Sequence, residues 1–260
     1  MSLSARLAYL LFNAGRNIAD AFVPLRVERW RLPPAEIGRA RHRLTSPSRI
    51  VSEHALSTVL RDWAPNRPVT IIDIGCGSGG AREMFAAAGL HGTYIGVDID
   101  DRFQADGWPM FESRFVQADA HDAELPMADL IFSFSALEHI PNDGRLIERL
   151  RGFVKPGGLQ LHILPAGWAL AAYLWHGYRQ YPRAALRRRF DSSTTRVIAA
   201  GGVPSLLLHV FAIAVPEILL RFNLRRRWPK AFGRALAAGL GADRWLPVAP
   251  TGYVVVERAT

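Results

Sequence analysis

Cysteine is almost absent: Cys76 stands alone among 260 residues, which excludes an intrachain disulfide and any CxxC metal site and fits a reducing compartment. Lysine is scarce too, with thirty arginines against Lys155 and Lys230. Arginine forks grip phosphate and carboxylate well, but a biased genome composition gives the same excess, so the ratio decides nothing by itself. Glycine at 22 and proline at 17 show no excess, which removes collagen-like and low-complexity classes, and no internal repeat is present. A charged fraction of 21% beside a hydrophobic fraction of 49% excludes a disordered chain and supplies ample apolar surface for a core. Arg6 is the only early charge and the apolar run 8–12 is short for a signal h-region, so no secretory signal is expected. The length suits one domain, or one domain with an elaboration.

The net charge of +9 is unevenly spread. Residues 1–70 carry +6, residues 71–175 carry −7, residues 176–234 carry +10, and the remainder balances at zero. An acidic middle between basic flanks does not resemble a uniformly basic nucleic-acid coat.

That middle alternates strand and helix. VTIIDI at 69–74 is β-branched and breaks at GCGSGG; a helical stretch follows, with Ala81, Met84, Phe85 and Ala88 at helical spacing. Further strands are expected at 93–99, 115–119, 128–133 and 159–164, with a helix through 143–153 and a turn at Lys155-Pro156-Gly157-Gly158. Short strands separated by helix-length segments predict a parallel sheet with helices on both faces, and ligands of such sheets sit outside the carboxyl ends of the strands. In the flanks, residues 4–22 place Leu7, Leu10, Leu11, Ala14, Ile18, Ala21 and Phe22 on one helical stripe opposite Arg6, Asn13 and Arg16. Residues 23–49 read as irregular, 52–63 as a helix, and GYVVVER at 252–258 as a terminal strand.

Gly75, Gly77 and Gly79 follow the first of these strands, where missing side chains let a ligand approach the loop and the next helix N-terminus. Counting Gly80, the same letters satisfy both GxGxG and the dinucleotide fingerprint GxGxxG, so the loop alone does not separate cofactor classes, or a ligand from a plain tight turn. Asp73, two residues earlier, is an acid the dinucleotide pattern does not need; it can face an ammonium group. Asp98 ends the second strand, where a carboxylate accepts from two ribose hydroxyls. Asp119 and Ala120 end the third, where an acceptor and a backbone N–H can read an adenine edge. Ser133-Phe134-Ser135-Ala136-Leu137-Glu138-His139 follows the fourth.

Together, DIGCGSG, GVDID, QADA, ADLIFSFSALEHI and KPGG resemble the class I S-adenosylmethionine-dependent methyltransferases, particularly the small-molecule and lipid group with DxGCGxG and LEH segments. The resemblance covers about residues 69–165 and, more weakly, the last strand. It implies an α/β fold with a Rossmann-like seven-stranded sheet whose last strand is antiparallel. It further implies S-adenosylmethionine as cofactor, with Asp73, Gly75, Gly77 and Gly79 on its methionine side, Asp98 on the ribose, Asp119 and Ala120 at the adenine, and no metal. His139 stands where the family faces the methyl end, as a general base or, equally, as a residue that packs the following helix. His162 is expected in packing, Glu138 bonded to backbone, and His176 beside Trp175 and Tyr178 is a further pocket candidate.

The expected division is an N-terminal helical extension or acceptor cap (1–65), the cofactor-binding core (66–165), an aromatic and Arg-rich acceptor region with a helical insert (166–251), and the terminal strand (252–260). Within PSLLLHVFAIAVPEILLRF at 204–222, two readings compete. One is a membrane helix interrupted by Pro216 and charged by Glu217; the favoured one is a sixth strand at 206–213 followed by the insert. Arg221, Arg225, Arg226, Arg227, Lys230 and Arg234 follow, with Trp228 and Phe232 among them, a composition suited to an anionic membrane surface. Three functions stay open. The first is methylation, at oxygen, of a lipid, isoprenoid or lipid-linked sugar by a cytoplasmic enzyme peripheral to the inner membrane face. The second is methylation of a soluble small-molecule or sugar acceptor of anionic character. The third is an RNA-binding methyltransferase or a catalytically silent binding module using the basic flanks. RNA is disfavoured because no RNA-binding module sequence is present and an Asn/Asp-Pro-Pro-aromatic segment is missing after the fourth strand.

Overall fold

The computed structural model describes residues 2–20, 23–104, 107–190 and 193–259. The chain opens with α1 (Leu3–Ala19), β1 (Glu28–Arg29), α2 (Pro34–Ala40) and α3 (Pro47–Trp63). It continues through β2 (Val69–Ile74), α4 (Arg82–Ala87), β3 (Gly92–Asp98), β4 (Phe111–Gln117), β5 (Ala128–Phe134), α5 (Asp143–Arg151) and β6 (Val154–Pro165). Then come α6 (Ala169–Tyr173), α7 (Arg183–Arg189), β7 (Thr195–Ala200), α8 (Val203–His209), α9 (Leu224–Arg227), α10 (Pro229–Ala242) and β8 (Gly252–Arg258).

The sheet has eight strands in the order β1-β7-β8-β6-β5-β2-β3-β4. β2 pairs parallel with both β3 and β5, β3 with β4, and β5 with β6. These strands bury both faces, as their β-branched and aromatic content requires: Ile71, Ile72, Ile74, Leu130, Ile131 and Phe132 are fully buried. β8 runs the other way. The amides of Thr251 and Arg258 donate to Ala200 and Thr194, so numbers rise along β8 as they fall along β7. The expected seven strands and antiparallel last strand are therefore present; the eighth, β1, is a two-residue edge strand parallel to β7, inside the stretch read as irregular.

The favoured position of the sixth strand is corrected. That strand is β7, and 206–213 is helical: α8 passes into a wider π-helical segment, Val210–Leu219, containing Pro216. Proline has no N–H and its ring crowds the carbonyl four residues back, and a local shift to i→i+5 bonding, seen as Leu220 N to Val215 O at 3.1 Å, accommodates it. Glu217 is neutralised by the Arg225 guanidinium, whose two nitrogens reach its carboxylate at 2.7 and 2.6 Å. No described helix is long and apolar enough to cross a membrane.

Contacts divide the chain into two compact units. The first comprises Met1–His54, Pro165–Leu186 and Val197–Tyr253; the second comprises Ala55–Leu164, Arg187–Arg196 and Val254–Thr260. In the first, Ala40, Ile50, Val51, Ala200, Ile213, Phe232, Leu236 and Leu240 form a core. Phe232 is thus a core residue and leaves the set of interfacial aromatics. α1 buries its polar face: its buried residues are Asn13 and Asn17, while Leu3, Leu7, Leu11 and Ile18 of the apolar side are exposed, Leu11 by 75%. Asn17 donates to Gly167 O at 3.0 Å and to Gln180 Oε1 at 3.2 Å, which gives that polar face an inward partner. Ala21 and Phe22 of the stripe lie outside the described residues.

Candidate functional site

In the second unit the chain lays β3 and β4 on one side of β2 and β5 and β6 on the other, so the strand order reverses between β2 and β5. The loops after β2 and β5 meet at that reversal: a Cβ on Gly75 would lie 2.4 Å from Ala136 Cβ. Gly75, Gly77 and Gly79 all take positive φ, 70°, 52° and 76°. Gly79 also lacks room, since a Cβ there would meet the Phe103 ring at 2.7 Å and the Arg82 guanidinium at 2.8 Å. Gly77 differs: nothing lies within 4 Å of its Cβ position, so the loop offers bare backbone to open space at this point.

Asp98 holds the loop from the tip of β3. Its Oδ2 accepts from the Gly77 amide at 2.8 Å and its Oδ1 from the Asp100 amide at 3.0 Å. Ala118 N donates to Asp98 O at 3.0 Å, which brings the end of β4 alongside. There Asp119 is exposed, its Oδ1 accepting from the His121 amide at 2.9 Å, and Ala120 is buried with its carbonyl bonded by Arg149 at 3.3 Å.

Asp73 is buried under the loop, and Tyr94 Oη donates to its carboxyl at 2.5 Å. Burial pushes the Asp73 pKa up to about 7; the Tyr94 hydrogen bond opposes this, the Asp98 charge adds to it, and Arg82 opposes it. The folded value lies above the unfolded carboxylate value of about 3.9, so the retained proton stabilises the fold below about pH 4. That stabilisation is lost as pH rises through about 7. Relative to Asp73→Asn, the native chain is expected to lose up to about 4 kcal/mol of stability in urea unfolding across this range, Asp243, His162 and His209 contributing equally to both proteins. Asp73→Asn is neutral throughout, so the difference between the two slopes isolates Asp73; an equal slope in both proteins contradicts the assignment.

Cys76 sits in the same buried layer, its thiol pushed up to about 12 chiefly by burial and then by Asp73 and Asp98, which makes it an inert packing thiol. Sequence reading missed Arg82. Fully buried on α4, it donates to Gly79 O at 2.9 Å, to Ser113 Oγ at 2.7 Å and to Gln104 O, and its guanidinium lies over the rings of Phe103 (4.8 Å), Tyr94 (5.1 Å) and Trp108 (5.5 Å). The available signal was its position three residues before Phe85, on the core-facing stripe.

After β5, Ser135 takes φ 50° and a 3-10 turn spans Leu137–His139, with Glu138 buried and His139 exposed. The following α5 is anchored by a fork from Arg189 to Asp143 at 2.6 and 2.9 Å. His162 is fully buried in β6, bonded to Ser133 at 2.9 Å and Gln160 at 3.0 Å, with its pKa pushed down to about 3 by burial and then Arg151. It is a packing residue. His176 belongs to the first unit, where its carbonyl accepts from Tyr9 Oη at 3.1 Å.

The second unit therefore gathers Asp73, the three glycines, Asp98, Asp119, Ala120 and His139 at the carboxyl ends of β2 to β5. The fit to an adenosyl amino acid rests on the bare Gly77 backbone and on acceptors at successive strand tips.

Comparison with known proteins agrees. Residues 72–161 match the family of the methyltransferase domain. Trans-aconitate 2-methyltransferase of Deinococcus radiodurans is 30% identical over 110 residues, covering 41% of this chain and 42% of that protein. Ubiquinone biosynthesis O-methyltransferase of Paraburkholderia xenovorans is 31% identical over 117 residues, covering 40% and 50%. The chain thus spans about half the length, or less, of these curated relatives. Among solved structures, the cyclase SpnF aligns with a TM-score of 0.52 at 16% identity, over 98% of this chain and 94% of that one, a likeness of fold alone. With an antiparallel strand beside β6 and a glycine loop at the β2–β5 reversal, residues 72–161 are a methyltransferase domain of the class I, S-adenosylmethionine-dependent type.

Proposed function

We propose that this chain transfers a methyl group from S-adenosylmethionine to an oxygen of a lipid-like acceptor at an anionic membrane surface. When bound, the cofactor supplies an activated methyl on its sulfonium, so the protein needs no covalent intermediate of its own; it must orient the acceptor and exclude water. Gly75, Gly77 and Gly79 form the bare backbone for the methionine end, and the Asp73 carboxylate faces its ammonium. That pairing draws the proton off Asp73, so affinity rises as pH rises towards about 7. Asp98 accepts from the ribose hydroxyls, while Asp119 and the Ala120 amide read the adenine edge. His139 takes the acceptor hydroxyl's proton.

The observation that carries the acceptor half is the outward apolar face of α1. Among the described residues, the exposed large apolar side chains belong to the first unit apart from Ile99, Met110 and Met127. Phe211, Leu219, Leu220, Phe222 and Trp228 are among them, and Arg221, Arg226, Arg227, Lys230 and Arg234 are exposed close by in sequence. Apolar and aromatic side chains beside arginines suit an anionic lipid interface. The relatives' names speak for small-molecule acceptors, one of them acting in ubiquinone biosynthesis at oxygen.

Vesicles of phosphatidylglycerol are expected to sediment the native chain, and Leu7→Glu with Leu11→Glu to leave it in the supernatant. Labelled methyl is expected in solvent-extractable lipid, and His139→Ala to cut turnover by roughly 100-fold with cofactor affinity unchanged. Transfer confined to water-soluble acceptors, with no vesicle binding, replaces the lipid reading by that of a small anionic acceptor.

A further inference from the structure

The first unit contains a cavity of about 770 Å³ that the methyltransferase domain does not supply. Ligand pockets run from about 300 to 1,000 Å³, so the space takes a molecule of metabolite or single-chain lipid size. Its lining is mainly apolar, with Ile18 and Trp168, each exposed by half or more, reaching the surface.

Four polar side chains break that lining. Arg29 on β1 and Arg183 at the start of α7 bring two cations, and the described lining holds no carboxylate to match them. Arg183 is fixed by donating to the Tyr253 hydroxyl, another lining group. Asn17, only 7% exposed, commits its amide nitrogen to Gly167 and Gln180, while its Oδ1 is buried with no hydrogen-bond partner. A buried acceptor left unpaired carries a desolvation cost that a ligand's donor removes.

We propose that this cavity binds an amphiphilic anion: an apolar chain or ring whose carboxylate or phosphate pairs with Arg29 and Arg183 and whose hydroxyl donates to Asn17. Apolar burial supplies affinity, and the two guanidinium forks select the anionic end. Binding needs neither the glycine loop nor a methyl donor, so its failure leaves the transfer reading untouched.

Displacement of anilinonaphthalene sulfonate from the full chain, without S-adenosylmethionine, tests this with dodecanoate, dodecyl phosphate, 12-hydroxydodecanoate and dodecanol, all below their micellar concentrations. The anions are expected to bind one to one and dodecanol at least roughly tenfold more weakly, the loss of a charge-assisted contact. Phosphate binding tighter than carboxylate, or the reverse, identifies the head group. 12-Hydroxydodecanoate is expected to exceed dodecanoate, and Asn17→Leu to erase that margin. Arg183→Gln weakens the anions by about tenfold and dodecanol little. Ala171→Trp, which fills the cavity from α6, abolishes binding while the melting profile stays native. Equal affinity for dodecanol and the anions, unchanged binding by Ala171→Trp, or binding only above the micellar concentration each overturns the proposal.

Discussion

Arg82→Ala is expected to lower stability by about 3–5 kcal/mol, the cost of removing one partner from a buried charged network. A chain of this size loses roughly 10 °C of thermal midpoint for that change. The guanidinium is fully buried and donates to Gly79, Ser113 and Gln104. Deletion strands the Gln104 carbonyl, leaves Gly79 O with only the residue-82 amide, opens a cavity between the Tyr94, Phe103 and Trp108 rings, and frees the glycine loop from below. Lysine does not rescue: a compact ammonium neither forks in these directions nor stacks flat on rings. Methionine fills the space but leaves the Gln104 carbonyl without its guanidinium donor. Differential scanning calorimetry of the three variants checks the order, and a native-like midpoint for Arg82→Met would show that volume alone matters there.

Asp98→Ala is expected to weaken S-adenosylmethionine binding by roughly 100- to 1,000-fold, from about 3–4 kcal/mol for two hydrogen bonds to a charged acceptor. The side chain is half-buried at the tip of β3, and its carboxylate already orders the Gly77 amide and the Asp100 amide. Asp98→Asn, which keeps one acceptor oxygen, falls between alanine and the native residue. Circular dichroism melts separate lost affinity from lost fold. Unchanged affinity in a well-folded Asp98→Ala protein places the adenosyl group elsewhere.

The inner strands were legible because VTIIDI and ADLIFS are buried on both faces, and a β-branched run bounded by glycine has few other solutions. The loop was legible because three glycines at alternate positions after a strand demand positive φ. The run 206–213 was not, since seven apolar residues broken only by His209 satisfy strand and helix alike, and Pro216 was read as an interruption rather than as the cause of a π-helical widening. The strand that takes that place in the sheet, TRVIAA at 195–200, carries Arg196 on an exposed position and buries only its last four residues. The stripe of α1 did not say which of its faces turns inward; Gln180 and the Gly167 carbonyl draw Asn17 in by hydrogen bonds, a pairing invisible without the tertiary partners. Arg82 was passed over for the same reason: an arginine is buried only when carbonyls and ring faces gather around it, and those come from Gln104, Phe103 and Trp108, far along the chain.

Calorimetric titration of the native chain with S-adenosylmethionine, beside NAD as the ligand for which the same glycine pattern also serves, tests the central claim most directly. One-to-one micromolar binding of S-adenosylmethionine at pH 8 with no heat from NAD is the predicted result. Silence with S-adenosylmethionine from a folded protein, or preference for NAD, contradicts the assignment of the loop and strand tips to an adenosyl amino acid.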